Sequence, residues 1–219
     1  MYRSVLCALA MLGQLANLEA AISDADKKAI VDKHNELRRL VAKGQAIDFD
    51  GTKLPEAGNM MEMSWDDTIA QGAQAWADRC QAVFGHNNAE LDALDVGENG
   101  YEGQGAISGV QMWYDELTKR DRKNQGKLGC DPTGPYSKTC SAPPGAIGHF
   151  TQIAWARSNK VGCGAANCGS SYRLFCRYKE RGNMVDGSSP IYKAGPPCSQ
   201  CVDGQTCSDG LCVGDGNVF

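Results

Sequence analysis

The apolar positions of the chain change period from its first half to its second. Ile30, His34, Leu37 and Val41 recur at helical spacing behind Ser23 and Asp26, a serine and an acid three residues apart that read as a capping box. The pattern predicts a helix over residues 23–43, ended by Gly44. A second stripe of Trp65, Ile69, Ala73, Trp76 and Cys80, with Asp66, Asp67, Gln74 and Asp78 mostly off it, predicts a helix over 64–80 whose two tryptophans anchor the core. Val110, Trp113, Tyr114 and Leu117 predict a shorter helix over 108–118. The period then shifts to two: residues 161–168 and 172–178 read as strands joined by a turn at Gly169 and Ser170, with Tyr172, Leu174, Cys176 and Tyr178 on one face. Helices early and strands late, without regular alternation, indicate an α+β fold.

Between the third helix and the strands, residues 126–148 hold four prolines, which exclude long regular elements and mark a loop with Cys130 and Cys140 in it. Composition changes again after Gly187. The last thirty or so residues hold four cysteines and few core-forming side chains, so residues 188–219 read as a cysteine-rich appendage held by crosslinks.

The first twenty residues supply Arg3, an apolar run from Val5 to Leu12 and small residues at Ala20 and Ala21, the anatomy of a secretory signal peptide over 1–20. That run is too short to span a bilayer, and no later segment reaches the roughly 18–20 apolar residues of a transmembrane helix. Of eleven cysteines, Cys7 leaves with the leader, and ten remain. In an oxidising compartment an even set reads as a complete disulfide framework, which argues against a catalytic thiol. Cys198-x-x-Cys201 admits a redox or a zinc reading, but each needs a different context, and closure of small loops with Cys207 and Cys212 fits better. A formal charge of −4 and a pI near 5.4 give no footprint for nucleic acid. The one basic cluster, 119–123, is broken by Asp121 and reads as a solvated segment.

Three histidines stand in the chain. His34, on one helical face with Arg38, reads as a buried, hydrogen-bonded core histidine rather than a ligand. His86 lies in a polar loop after Cys80, and His149 precedes an apolar run; position alone does not join them. The segment Gly148-His149-Phe150-Thr151-Gln152-Ile153-Ala154-Trp155-Ala156-Arg157-Ser158 resembles the first signature of the CAP superfamily of cysteine-rich secretory, antigen 5 and pathogenesis-related class one proteins. His34-Asn35-x-x-Arg38, Gly97-Glu98-Asn99, Trp113-x-x-Glu116, Gly162-Cys163-Gly164 and Cys176-Arg177-Tyr178 stand in the same order as in that superfamily. The tail, from Pro190 to Cys201, resembles the venom-allergen-like, activation-associated secreted proteins of nematodes.

This resemblance implies a three-layered α-β-α sandwich, with a CAP domain over 21–187 and a short disulfide-rich extension over 188–219. It implies the pairings Cys80–Cys168, Cys130–Cys140, Cys163–Cys176, Cys198–Cys207 and Cys201–Cys212. It also implies a cavity tetrad of His86, Glu98, Glu116 and His149, where the two imidazoles would hold a zinc-like divalent cation that the fold does not require. A secreted monomer without enzymatic activity follows, a parasitism effector that modulates a host or other extracellular partner by binding a host protein or a sterol or lipid. The alternative is a divalent-metal-dependent extracellular hydrolase in which Glu98 and Glu116 form an acid/base pair beside a cation on His86 and His149. Against it, the chain has no His-Glu-x-x-His, no Gly-x-Ser-x-Gly and no unpaired mature cysteine to supply a nucleophile with its base. A third reading makes the tetrad a polar network that only shapes the cavity.

Overall fold

The computed structural model describes residues 22–118, 131–137, 140 and 147–214. The leader, the basic cluster and Cys130 therefore lie outside the described residues.

Helix α1 spans Asp24–Ala42. Ser23 and Asp26 close the capping box reciprocally, so two amide donors at the helix start are satisfied. Its inner face buries Ile30, His34, Leu37, Arg38 and Val41. Strand β1 is the short Ser64–Trp65, and helix α2 runs Asp67–Ala77 behind Asp66, whose carboxylate accepts from the amides of Thr68 and Ile69. There follow α3 (Asn88–Leu94), β2 (Gly97–Gly103), α4 (Ala106–Asp115) and α5 (Gly148–Ala154). The long hairpin of β3 (Lys160–Cys168) and β4 (Ser171–Lys179) turns at Gly169, which has positive φ.

The sheet order is β1-β3-β4-β2, parallel between β1 and β3 and antiparallel elsewhere, which leaves β2 at an edge. Helix α2 packs on one face, while α1, α4 and α5 pack together on the other. The alternation of β4 sorts its residues accordingly. Leu174, Cys176 and Tyr178 enter the main core, and Phe175 joins a small cluster with Ala77 and Ala166 on the α2 side.

The second stripe is revised in two ways. Its first residues pair as β1 because Asp66 caps the helix only after them. Its buried face is Ala70, Ala73 and Ala77, whereas Trp65 and Trp76 are half-buried at the margins. The reason is the closeness of helix to sheet: a Cβ on Gly162 would lie 2.5 Å from the Ala70 amide nitrogen, and one on Gly164 would lie 2.1 Å from that of Gln74. Only alanine and glycine fit between such surfaces.

Four described disulfides tie this frame: Cys80–Cys168, Cys163–Cys176, Cys198–Cys207 and Cys201–Cys212. The first closes the longest loop of the four, its ends 88 positions apart. In the chain-entropy model that closure contributes about 4 to 5 kcal/mol. Because Cys198 and Cys201 each bond elsewhere, they form neither a redox dithiol nor a zinc-ligand pair. The tail also contributes more to the core than its composition suggests. Strands β5 (Thr206–Ser208) and β6 (Leu211–Val213) form a ribbon that buries Leu211 and Cys212, and Ile191 and Tyr192 lie in the core before it. The Cys212 amide donates to Met60 O, its carbonyl accepts from the Glu62 amide, and Asp209 takes ion pairs from Arg39 and Lys43.

Candidate functional site

The motif His34-Asn35-x-x-Arg38 is architectural. His34 is buried; its Nδ1–H donates to Ile30 O at 2.8 Å and its Nε2 accepts from the Tyr178 hydroxyl at 2.9 Å. Desolvation, with the nearby Arg38 cation adding to it, lowers the His34 pKa to about 4, so the ring is neutral at pH 7. Burial pushes the Tyr178 hydroxyl up. Asn35 exchanges two hydrogen bonds with the Met63 backbone. Arg38, fully buried, makes six bonds of 2.7–3.0 Å to the carbonyls of Met61, Ile153, Trp155, Ala156 and Ser158. It thereby binds α1 to the end of α5, where carbonyls lack helical partners and favour a cation. Burial lowers its pKa to about 9, still charged at neutral pH.

The four tetrad positions form two dyads. In the first, His86 Nδ1 lies 2.9 Å from Glu98 Oε1, and Glu98 Oε2 accepts from Arg177 Nε at 2.9 Å. The Glu98 side chain is wholly buried and the His86 side chain is 34 % exposed. The Phe175 ring stands edge-on to His86, and Phe84 stacks on Phe175. In the second dyad, His149 Nδ1 lies 2.6 Å from Glu116 Oε1. Glu116 Oε2 accepts from the amides of His149 and Phe150, so a side chain from just past α4 caps the first turn of α5. Trp113 stacks on His149.

The two dyads flank the middle of edge strand β2. Trp113 donates its indole N–H to Gly100 O at 2.9 Å, while a Cβ on Gly100 would lie 3.4 Å from His86 Cε1. On the face of β2 opposite Glu98, the Asn99 amide bonds His149 O and the Tyr178 hydroxyl. Among the described residues no hydrogen bond joins one dyad to the other.

A carboxylate opposite each Nδ1 makes that nitrogen the donor and leaves Nε2 of each ring uncommitted. All four carboxylate oxygens are already engaged. The donor set offers two imidazole nitrogens, each oriented by a carboxylate, of the type that binds a divalent cation, and no group of three or more ligands stands among the described residues. Each of the two carboxylates is thus bonded to an imidazole and to a second donor, Arg177 for Glu98 and two backbone amides for Glu116. Sequence reasoning missed Arg177 as part of the site. The signal was its place on β4, on the face opposite Leu174, Cys176 and Tyr178 and beneath α2. Two recesses of about 180 and 160 Å³ lie elsewhere, both lined by Arg157 and Ser189, and the first borders the tail at Gln200.

A sheet covered by helices on both faces is the sandwich that the sequence resemblance implies. The family model described as the cysteine-rich secretory protein family matches residues 31–178, and the chain belongs to this family. Scoloptoxin SSD976 of Scolopendra dehaani is 38 % identical over 85 % of this chain and 83 % of its own, and human cysteine-rich secretory protein 3 is 33 % identical over 85 % and 68 %. Among solved structures, Na-ASP-1 has 30 % identity and a TM-score of 0.71; it covers 85 % of this chain, which spans only 46 % of its length. NaASP2 with Zn2+ has 28 % identity and a TM-score of 0.71, covering 88 % and 97 %, and BmVAL-1 has 29 % and 0.72, covering 87 % and 94 %. The four described disulfides fit an oxidising, extracellular compartment. No helix among the described residues is long and apolar enough to cross a membrane.

Proposed function

We propose that the chain is a secreted, non-enzymatic venom-allergen-like effector. It acts as a monomer on a host or other extracellular partner, either a protein or a sterol or lipid, and carries a zinc-like divalent cation between His86 and His149. The observation that carries the non-enzymatic reading is the commitment of the carboxylates. Glu98 serves His86 and Arg177, and Glu116 serves His149 and the start of α5, so each acid orients a ring instead of exchanging a proton with a substrate. The cation reading is supported by the two free Nε2 atoms and by the Zn2+ named with the relative NaASP2. A site with two protein nitrogens binds with modest affinity and stays open to solvent. The apolar leader and the disulfides support export, and similarity to a centipede scoloptoxin supports an effector role.

The test pairs wild type with the double variant His86→Ala/His149→Ala. Both are used to capture partners from extracellular fluid, extracted for bound sterol, and assayed for ester and peptide hydrolysis with added Zn2+. Equal capture by both proteins and no hydrolysis by either is the expected result. Zn2+-dependent hydrolysis lost in the double variant would replace this reading with the hydrolase.

A further inference from the structure

Arg177 sits in an arrangement that the two dyads do not by themselves require. Its side chain is 1 % exposed; Nε donates to Glu98 Oε2, Nη1 donates to Glu90 Oε1 at 2.8 Å, and the buried Nη2 has no partner. Glu90 Oε2 in turn accepts from the Asn87 amide at 3.0 Å, and Asn87 also caps α3. Asn87 follows His86 in the chain. The contacts therefore close a ring, from His86 through Glu98, Arg177, Glu90 and Asn87 back to His86. Room for the guanidinium comes from Gly72 on α2, where a Cβ would lie 2.3 Å from Arg177 Nη1.

We propose that Arg177 is the positioning residue of the His86 half of the site. By taking Oε2 of Glu98 it leaves Oε1 alone for His86, which fixes the Nδ1–H tautomer and turns Nε2 outward. The planar guanidinium is suited to this because it reaches two carboxylates in fixed directions, as an ammonium does not. Two carboxylates against one guanidinium also leave the cluster one negative charge in excess, which favours a cation at the exposed edge of the ring. The His149 half has no counterpart, since backbone amides hold Glu116 there. The inference about Arg177 concerns the tautomer; its consequence for metal rests on the cation reading above.

The experiment uses 15N-labelled full-length protein. Long-range 1H–15N spectra of the imidazoles report the tautomer of each ring, and calorimetry with Zn2+ alone reports affinity. Wild-type His86 is expected in the Nδ1–H form only. Arg177→Gln should mix the His86 tautomers, leave the His149 signals in place and weaken Zn2+ binding about 10- to 100-fold. Gly72→Ala keeps every charge but crowds Nη1, and should move the same His86 signals by less; it carries the test if Arg177→Gln does not fold. A single unchanged His86 tautomer in a folded variant overturns the proposal, as does an equal disturbance of His149. Mixed His86 tautomers in a protein that binds no Zn2+ even as wild type would support the positioning role and overturn the cation reading instead.

Discussion

Two arginines lie buried on opposite faces of the sheet, Arg38 among carbonyls under α1 and Arg177 among carboxylates under α2. Arg38 has every donor direction filled by neutral oxygens, and nothing about it reaches the surface. It is a brace, joining α1 to the backbone after α5 and to the segment that carries Met61. Arg177 is surrounded by charge, keeps one buried nitrogen without a partner, and connects through Glu98 to a ring that is one-third exposed. A fully satisfied buried cation serves the fold, whereas a buried polar group left incomplete calls for another explanation. For these two arginines, the partners separate brace from site where burial alone does not.

Three perturbations bear on this contrast, in decreasing size. Arg38→Met removes a donor from five carbonyls, of which those of Trp155 and Ala156 keep a backbone partner, and should lower stability by about 4 kcal/mol or more, read from the urea midpoint at pH 7. A loss under about 1 kcal/mol would show that the cage is not a brace. The second concerns pH. His34 has a folded pKa of about 4 against 6.5 in the unfolded chain, so only the unfolded state binds a proton between those values. Its contribution is intact above about pH 6.5 and is lost as pH falls towards 4, about 3 kcal/mol in all. Denaturation curves from pH 7 to 4 should show that slope, and His34→Gln should flatten it. Third, Gly164→Ala drives a methyl group into the backbone at Gln74 and should cost about 2 kcal/mol in a thermal melt, on the α2 side alone. The Arg38 cage should remain intact, and disturbance there would mean that the two faces are coupled.

How much of this was legible depended on whether a feature is local. Helix α1 was readable to its cap because Ser23, Asp26 and the stripe from Ile30 to Val41 are near neighbours in sequence, and the β3–β4 hairpin was readable from its alternation. Strand β2 was not. Its Gly-Glu-Asn-Gly-Tyr-Glu-Gly has little strand preference, and it exists through pairing with β4, from Gly97 opposite Tyr178 to Gly103 opposite Tyr172. The short α3 and α5 also escaped, being a single seven-residue stretch each. At the site, His86 and His149 share no local pattern, and only the resemblance brought them together. Arg177 was in view within Cys176-Arg177-Tyr178, but its meaning required knowing that α2 covers that face and that Gly72 leaves space there.

The docking of β6 onto Met60–Glu62 has a kinetic consequence. The partner of that early segment, Cys212, lies far along the chain, so pairing waits until that residue has emerged. Cys168 must likewise arrive before Cys80 can be closed, and β4 before β2 has a neighbour. Contacts so distant in sequence slow folding. The Met60–Glu62 backbone and Cys80 both depend on residues made long after them, and closure over those separations sets the pace at which this frame assembles.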